Sequence, residues 1–232
     1  MAPQIARRDD RRHADETRPG LVADASGAVL SGLVTARFTH DLAGPMSAIT
    51  NGVDLLSELG DQATPDDLAL VTSSAARSAA LMKGLRLAFG DAAPDGTPRA
   101  RRDVLATLQP IIAGRRIHLA CLGEDGPALS QPAARLAALM VFAGKLTLGL
   151  EGALELVLSQ ATDLPIRVIA RGPRATLKPE AAAWLRGSLS PAPRSGEVEF
   201  AMLAPAATLA GCQVEVKQDD GAVSFVAAAR GG

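Results

Sequence analysis

Aromatic side chains are scarce in this chain: they make up 3% of its 232 residues, with no tyrosine and a single tryptophan, Trp184. A surface that binds single-stranded nucleic acid depends on aromatic faces on which the bases stack. A basic excess is missing as well, because 24 Lys and Arg stand against 25 Asp and Glu, for a formal net charge of −1. Phosphate-binding surfaces usually leave such an excess. We therefore expect no nucleic-acid partner.

Cysteine and histidine are also few. The two cysteines, Cys121 and Cys212, lie far apart and form no CxxC pair, so the sequence indicates neither a disulfide framework nor a zinc site. The three histidines, His13, His40 and His118, are scattered along the chain and give no cluster with metal-ligand spacing. We expect no resident metal.

Long hydrophobic runs are absent. No apolar stretch approaches the roughly 20 residues that span a bilayer, and the first residues lack the apolar segment of a signal peptide. Apolar residues still make up 47% of the sequence, and a chain of this length can bury a core without disulfides. We expect a soluble, cytoplasmic protein with no membrane partner.

Residues 1–25 are expected to form a disordered arm. Acidic and basic side chains are mixed between Arg7 and Arg12 with no apolar periodicity, a composition typical of solvated segments. A long helix is predicted to follow, from about Ser26 or Leu30 to Leu59, and Gly60 is a residue common just past a helix end. Its apolar residues recur at spacings of three, four or seven, on one face. They are Leu30, Val34, Phe38, Leu42, Ile49, Val53 and Leu56.

A second long helix is predicted after a short connection. Thr64 can cap it and Pro65 can take its first position. Two long helices with a short loop form an antiparallel hairpin. Because two helices cannot enclose a core, we expect two chains to pair into a four-helix bundle. The spacing of the second helix's seam is typical of coiled-coil-like packing; the seam consists of Leu68, Val71, Ala75, Ser78, Met82, Leu85 and Phe89.

One histidine lies on the outer side of the first helix. At about 100° per residue, His40 points away from the apolar stripe, and Gly44, Ser47 and Asn51 follow on the same side. An exposed imidazole among small and polar groups suits chemistry delivered by a protein partner. Asp41 follows His40 directly, and Pro45 further along frees a backbone carbonyl and bends the helix locally.

The pattern changes after a Gly- and Pro-rich linker, residues 91–101. Residues 102–230 mix helices with about five strands, which predicts an α/β sandwich and an α+β class for the whole chain. We expect Pro205 to break or kink the last helix, and the turn Asp219-Asp220-Gly221 to form a hairpin. The helices are predicted over 103–113, 131–148, 179–186 and 198–209, and the strands over 117–122, 153–160, 166–170, 213–217 and 222–226.

The segment His40-Asp41-Leu42-Ala43-Gly44-Pro45 resembles the H-box (His, acid, Leu, two variable residues, Pro) of the dimerisation and phosphotransfer domain of sensor histidine kinases. A longer match, from Ala36 to Ile49 and on through Asn51-Gly52 and residues 54–56, is similar to the histidine phosphotransferases of alphaproteobacterial cell-cycle phosphorelays, the ChpT type. The resemblance covers the hairpin (residues 26–90) and, more loosely, the following domain. It implies that this domain is a degenerate histidine-kinase ATPase domain.

The nucleotide-binding motifs of such a kinase are missing. Phe142 stands where a magnesium-binding Asn is expected, and Ala170 and Arg174 stand at key places of the Asp-x-Gly-x-Gly motif. The later phosphate loop has no counterpart either, because residues 197–203 contain no glycine to wrap the backbone around phosphates. We therefore expect no ATP binding.

The resemblance implies a phosphohistidine carrier in a multistep two-component phosphorelay. His40 would accept a phosphoryl group from an aspartate of a receiver domain of a hybrid histidine kinase and pass it to the receiver domain of a response regulator. Asp41 would accept the other ring N–H or stabilise positive charge. Magnesium would come with the receiver. The partner-binding residues would be Arg37, Gly44, Pro45, Ser47 and Asn51.

Two other interpretations stay open from the sequence. One is an active histidine kinase with a divergent nucleotide pocket, which ATP affinity would reveal. The other is a non-catalytic dimeric binding module, whose function would survive loss of His40.

Overall fold

The computed structural model of the protein describes residues 19–90, 96–112, 116–162 and 164–229, with the backbone alone over 19–25. Within these ranges no helix is both long and apolar enough to cross a membrane. The helices are α1 (Pro19–Leu59), α2 (Pro65–Phe89), α3 (Arg101–Ile112), α4 (Gln131–Leu148), α5 (Pro179–Leu185) and α6 (Val198–Leu209). The strands are β1 (Arg116–Leu122), β2 (Glu151–Leu158), β3 (Ile166–Arg171), β4 (Cys212–Asp219) and β5 (Ala222–Ala229).

The first helix begins earlier than expected. It starts at Pro19, so the expectation of a disordered arm is wrong for residues 19–25, and residues 1–18 of that arm lie outside the described residues. Proline has the backbone angle of a first helical turn and gives up an N–H that would have no partner there, which favours a start at Pro19. The helix ends at Leu59 as predicted, and Gly60 follows in the left-handed region with φ of 49°.

The second helix follows a single 3-10 turn, Gly60–Gln62, and returns antiparallel to the first. Its N-terminus carries a capping box: the Thr64 hydroxyl accepts from the Asp67 N–H, and the Asp67 carboxylate accepts from the Thr64 N–H at 2.9 Å. Along the hairpin, a Cβ added to Gly52 would lie 2.5 Å from Val71 Cγ2, so the two helices are in close contact there. The predicted helical hairpin is confirmed.

The second part of the chain is a five-stranded sheet covered on one face by helices. The strand order is β1-β2-β3-β5-β4, with β1 and β2 parallel and the other neighbours antiparallel. The parallel pair is joined by α4, which crosses over the sheet. A Cβ added to Gly144 of α4 would meet Leu154 of β2 at 2.9 Å and Val168 of β3 at 3.1 Å, so this helix lies directly on the strands.

The predicted α/β sandwich is confirmed, with five strands among the described residues and the hairpin β4–β5 closed by Asp220 and Gly221. Two details differ. Helix α6 continues through Pro205 unbroken, because proline removes only one backbone hydrogen bond and the apolar residues around it stay packed. Helix α3 begins at Arg101, the last residue of the predicted linker, while residues 91–95 of that linker lie outside the described residues.

The core lies between the sheet and its helices, and α4 is its centre. Nearly every residue of α4 from Pro132 to Gly144 is buried, which explains why its sequence is apolar on all sides. The helix also contacts α2, α3 and α6, so the hairpin and the α/β domain share a boundary. Across it, Arg135 Nε donates to the Ala88 carbonyl at 3.1 Å, and Lys145 Nζ donates to the Ile111 carbonyl at 3.0 Å.

Candidate functional site

His40 is presented to solvent from the middle of α1. Its side chain is 79% exposed, on the side of the helix away from the Phe38–Phe89 ring contact that joins α1 to α2. Helix α1 continues through Pro45, which has no N–H to donate to the carbonyl of Asp41, four residues earlier. The imidazole is therefore accessible to another molecule, as the sequence predicted.

Asp41 fixes one ring nitrogen of His40. Its Oδ1 lies 3.1 Å from His40 Nδ1. An ionised carboxylate can only accept, so this hydrogen bond places the proton of a neutral imidazole on Nδ1 and leaves the lone pair on Nε2. Nε2 is then the ring nitrogen that can act as a nucleophile or proton acceptor.

Arg37 connects this pair to the α/β domain. Its Nη1 donates to Asp41 Oδ1 at 3.1 Å, one helical turn along α1. Its Nε lies 3.0 Å from Glu199 Oε1 of α6, which is the distance of an ion pair. The Nε–H is not aligned with the oxygen for a hydrogen bond. One guanidinium thus lies between two carboxylates from different parts of the fold.

Glu199 is a fully buried acid. Its side chain is 0% exposed, and neither carboxyl oxygen has a well-aligned hydrogen bond among the described residues. Burial raises the pKa of Glu199, and this effect outweighs the charge of Arg37, which lowers it. The ion pair therefore only partly compensates the cost of burying the charge.

A cleft of about 680 Å³ opens beside His40, between the hairpin and the α/β domain. Its charged lining is mainly basic: Arg37, Arg77 and Lys145 face one carboxylate, Asp41. The remaining wall is largely apolar and comes from α1 to α4. It includes Pro45, Leu81, Leu85, Pro110, Ile111, Phe142 and Leu146.

The structure brings most of the predicted site residues to this cleft. Arg37, His40, Asp41, Gly44 and Pro45 all line it. The other two predicted partner-binding residues, Ser47 and Asn51, are exposed on α1 but are not part of the lining.

Three residues of the site were not predicted. Arg77 and Lys145 line the cleft from α2 and α4, and Glu199 contacts Arg37 from α6. They lie far from His40 in the sequence, so no local pattern links them to it. The one available signal for Glu199 is its charge at the start of an otherwise apolar helix, Val198–Leu209.

Of the residues at the positions of the kinase's nucleotide motifs, Phe142 and Ala170 are buried, whereas Arg174 is exposed. Phe142 is 5% exposed, and a Cβ added to Gly84 of α2 would lie 3.4 Å from its ring. Ala170 is buried in β3. The stretch from Glu197 onward forms α6, which carries the contact to Arg37. Among the described residues no three His, Cys, Asp or Glu side chains come together as metal ligands.

A helical hairpin that presents an exposed histidine beside an α/β sandwich is the arrangement that the resemblance implied. The chain belongs to the histidine phosphotransferase family: residues 101–222, more than half of it, match the family's histidine phosphotransferase C-terminal domain. Over 76 residues it is 42% identical to the protein phosphotransferase ChpT of Brucella abortus (strain 2308). That match covers 33% of this chain and 35% of the relative, so the two align over about a third of the relative's length.

The fold is also that of a known structure. The chain superposes on a bacterial phosphotransferase solved at 1.7 Å with a TM-score of 0.69, covering 85% of this chain and 95% of that one at 22% identity. At this identity the likeness concerns the fold alone. It confirms the predicted α+β class, with a helical hairpin followed by an α/β sandwich.

Proposed function

We propose that the protein is a phosphohistidine carrier in a two-component phosphorelay, with His40 as the acceptor. The observation that carries the proposal is the exposed imidazole whose Nδ1 is held by Asp41 at the edge of a basic cleft. Membership of the histidine phosphotransferase family supports the same chemistry. We infer that the protein acts in the cytoplasm together with its partners.

The reaction follows from the tautomer. His40 Nε2 uses its lone pair to attack the phosphorus of a receiver's aspartyl phosphate. An N–P bond forms, the bond from phosphorus to the aspartyl oxygen breaks, and the carboxylate leaves. The Nδ1 proton stays on the ring, and Asp41 stabilises the positive charge that develops. Transfer to a second receiver is the same step in reverse, and the protein supplies mainly position and charge.

The cleft is the docking surface for the receiver in this proposal. A phosphorylated receiver presents negative charge at its active site, and Arg37, Arg77 and Lys145 outnumber Asp41 in the lining. Such charge complementarity speeds encounter and fixes orientation. The magnesium ion comes with the receiver, and nucleotide is not used. Gly44 and Pro45 line the cleft next to His40, while Ser47 and Asn51 extend the receiver-binding surface along α1.

A homodimer completes the proposal. Several large apolar side chains of the hairpin remain 40–60% exposed in the single chain. Exposed apolar surface of this kind is typical of interaction sites, and a second hairpin packed into a four-helix bundle would cover part of it. The side chains are Val29, Met46, Val53, Leu55, Leu68, Leu70 and Met82.

Radiolabel transfer tests the proposal. The purified protein is incubated with labelled ATP alone or with labelled ATP plus a hybrid histidine kinase and its receiver, and acid-labile label is measured on wild type and His40→Ala. Label that needs the receiver and is lost in His40→Ala is the expected result. Label from ATP alone identifies an active kinase. With several donor receivers tested, absence of label on wild type would contradict the carrier and favour a non-catalytic binding module.

A further inference from the structure

Glu199 is a buried charge with no evident structural benefit. Its carboxylate is completely excluded from solvent, and its oxygens have no well-aligned hydrogen bond among the described residues. Replacing a buried ion pair by apolar side chains of similar volume is often neutral or stabilising. An apolar residue at position 199 would also continue the surface made by Val198, Phe200 and Ala201, all of which are buried. The charge therefore calls for an explanation other than the stability of the fold.

Three successive contacts lead from Glu199 to the acceptor. Glu199 Oε1 lies 3.0 Å from Arg37 Nε, and Arg37 Nη1 lies 3.1 Å from Asp41 Oδ1. The same Asp41 oxygen lies 3.1 Å from His40 Nδ1. The carboxylate that fixes the His40 tautomer is thus shared with a guanidinium whose other side is held by the α/β domain.

We propose that Glu199 is a positioning residue for phosphotransfer: by holding Arg37 from the α/β domain, it orients Asp41 and thereby fixes the ring and the tautomer of His40. The functional consequence rests on the proposed phosphocarrier role, whereas the effect on the His40 ring does not.

The physical reason lies in the freedom of Arg37. Its side chain is 20% exposed and reaches Asp41 within one helix. A lone i,i+4 pair of this kind is weak and leaves a long side chain mobile. Contact with a buried carboxylate on a packed helix restricts the guanidinium to one place. In metal sites, the outer partners that orient a ligating histidine typically change affinity or activity by about 10- to 100-fold when removed, and we expect an effect at the lower end of that range here.

The charges are consistent with this role. If Arg37 paired with Asp41 alone, it would neutralise the carboxylate that must stabilise a positively charged imidazole. Glu199 divides the attraction of the guanidinium between two carboxylates, so Asp41 keeps more of its negative charge for His40. Loss of Glu199 should thus change both the position and the electrostatic effect of Asp41.

The test uses the full chain with ¹⁵N-labelled histidine. The ¹⁵N shifts of Nδ1 and Nε2 report the tautomer directly, and His40→Ala assigns the His40 signals. Glu199→Leu removes the carboxylate but keeps an apolar side chain in the apolar site, and Glu199→Gln keeps an oxygen that can face Arg37. Glu197→Gln is the matched control, because Glu197 lies two residues away and is paired with Lys178 at 2.7 Å instead.

The expected result has two parts. Glu199→Leu shifts the His40 ¹⁵N signals toward a tautomer mixture and lowers the maximal transfer rate about tenfold, with little change in the receiver concentration that gives half-maximal rate. Glu199→Gln shifts the signals less, and Glu197→Gln leaves them unchanged. If Glu199→Leu does not fold, Arg37→Met must produce the same shift, because it breaks the same series of contacts.

Unchanged His40 signals in folded Glu199→Leu, or equal shifts in Glu197→Gln, would overturn the proposal. So would additive effects of Glu199→Leu and Arg37→Met in the double variant, since residues that act through one another are not additive. A shifted tautomer without any phosphate on wild-type His40 would instead uphold the positioning role and contradict the phosphocarrier function.

Discussion

At the scale of single residues, His40 combines exposure with a fixed ring. Because its side chain is 79% exposed, replacing it leaves the core unchanged, and exposed substitutions usually alter stability by less than about 0.5 kcal/mol. We expect His40→Ala to unfold at the same denaturant midpoint as wild type while accepting no phosphate from a receiver. Chemical denaturation and radiolabel transfer measure the two effects. A large loss of stability would contradict the surface placement of His40.

Glu199 gives the protein a characteristic pH dependence. Its pKa is raised above the ordinary 4.5 by burial, so between pH 4.5 and the raised pKa the folded state holds a proton that the unfolded state has released, and above that pKa the group is a carboxylate. The stability from this group is complete at lower pH and decreases as pH rises through the raised pKa. We expect Glu199→Gln to remove that decrease, as measured by urea unfolding between pH 4 and 8.

Glu197 is a control whose pKa is shifted in the opposite direction. Burial raises its pKa, but hydrogen bonds and charge from Lys178 and Arg194 outweigh this effect, and the pKa is lowered from 4.5. Its contribution is present above pH 4.5 and is lost as pH falls. Glu197→Gln should therefore flatten the acid side of the profile only. Identical profiles for the two variants would contradict this assignment.

At the scale of elements, much could be predicted from periodicity and caps. The seam of α2 and its capping pair Thr64 and Pro65 predicted a helix that the structure has at Pro65–Phe89. The ion pair between Arg37 and Glu199 could not be predicted, because the two residues are 162 positions apart in the sequence and their contact depends on how α6 lies against α1. Periodicity describes one element at a time and contains no information about such a contact.

Met82, an exposed residue of the α2 seam, leads to a prediction about assembly. Met82 is 40% exposed and lies on the hairpin surface that a second chain would cover. A lysine there would place a charge in the dimer interface, where burial of an unpaired charge is strongly unfavourable. We expect Met82→Lys to sediment as a monomer and wild type as a dimer. Lys83→Met, at an exposed site just outside the seam, is the control and should sediment like wild type; a dimeric Met82→Lys would contradict the bundle.

At the scale of the whole molecule, the hairpin and the α/β domain are closely packed through α3. A Cβ on Gly84 of α2 would lie 1.8 Å from Ile111 Cδ1. A leucine there requires the Ile111 side chain to move and brings its own atoms against Phe142, and such overpacking typically costs about 1–3 kcal/mol. Gly32→Leu on α1 is the control, since nothing lies within 4 Å of an added Cβ there. Denaturant unfolding of the two variants tests this, and equal stability would contradict the close packing.

The single tryptophan makes the two halves of the molecule optically distinguishable. Trp184 is buried, its indole Nε1 donates to the Pro191 carbonyl at 2.6 Å, and its ring centre lies 6.5 Å from that of Phe200. Its fluorescence therefore reports only on the α/β domain. The helical signal at 222 nm, in contrast, is dominated by α1 and α2, with 41 and 25 residues. Coincident melting by the two signals would show one cooperative unit, and a fluorescence transition without loss of helix would show a hairpin that stays folded alone.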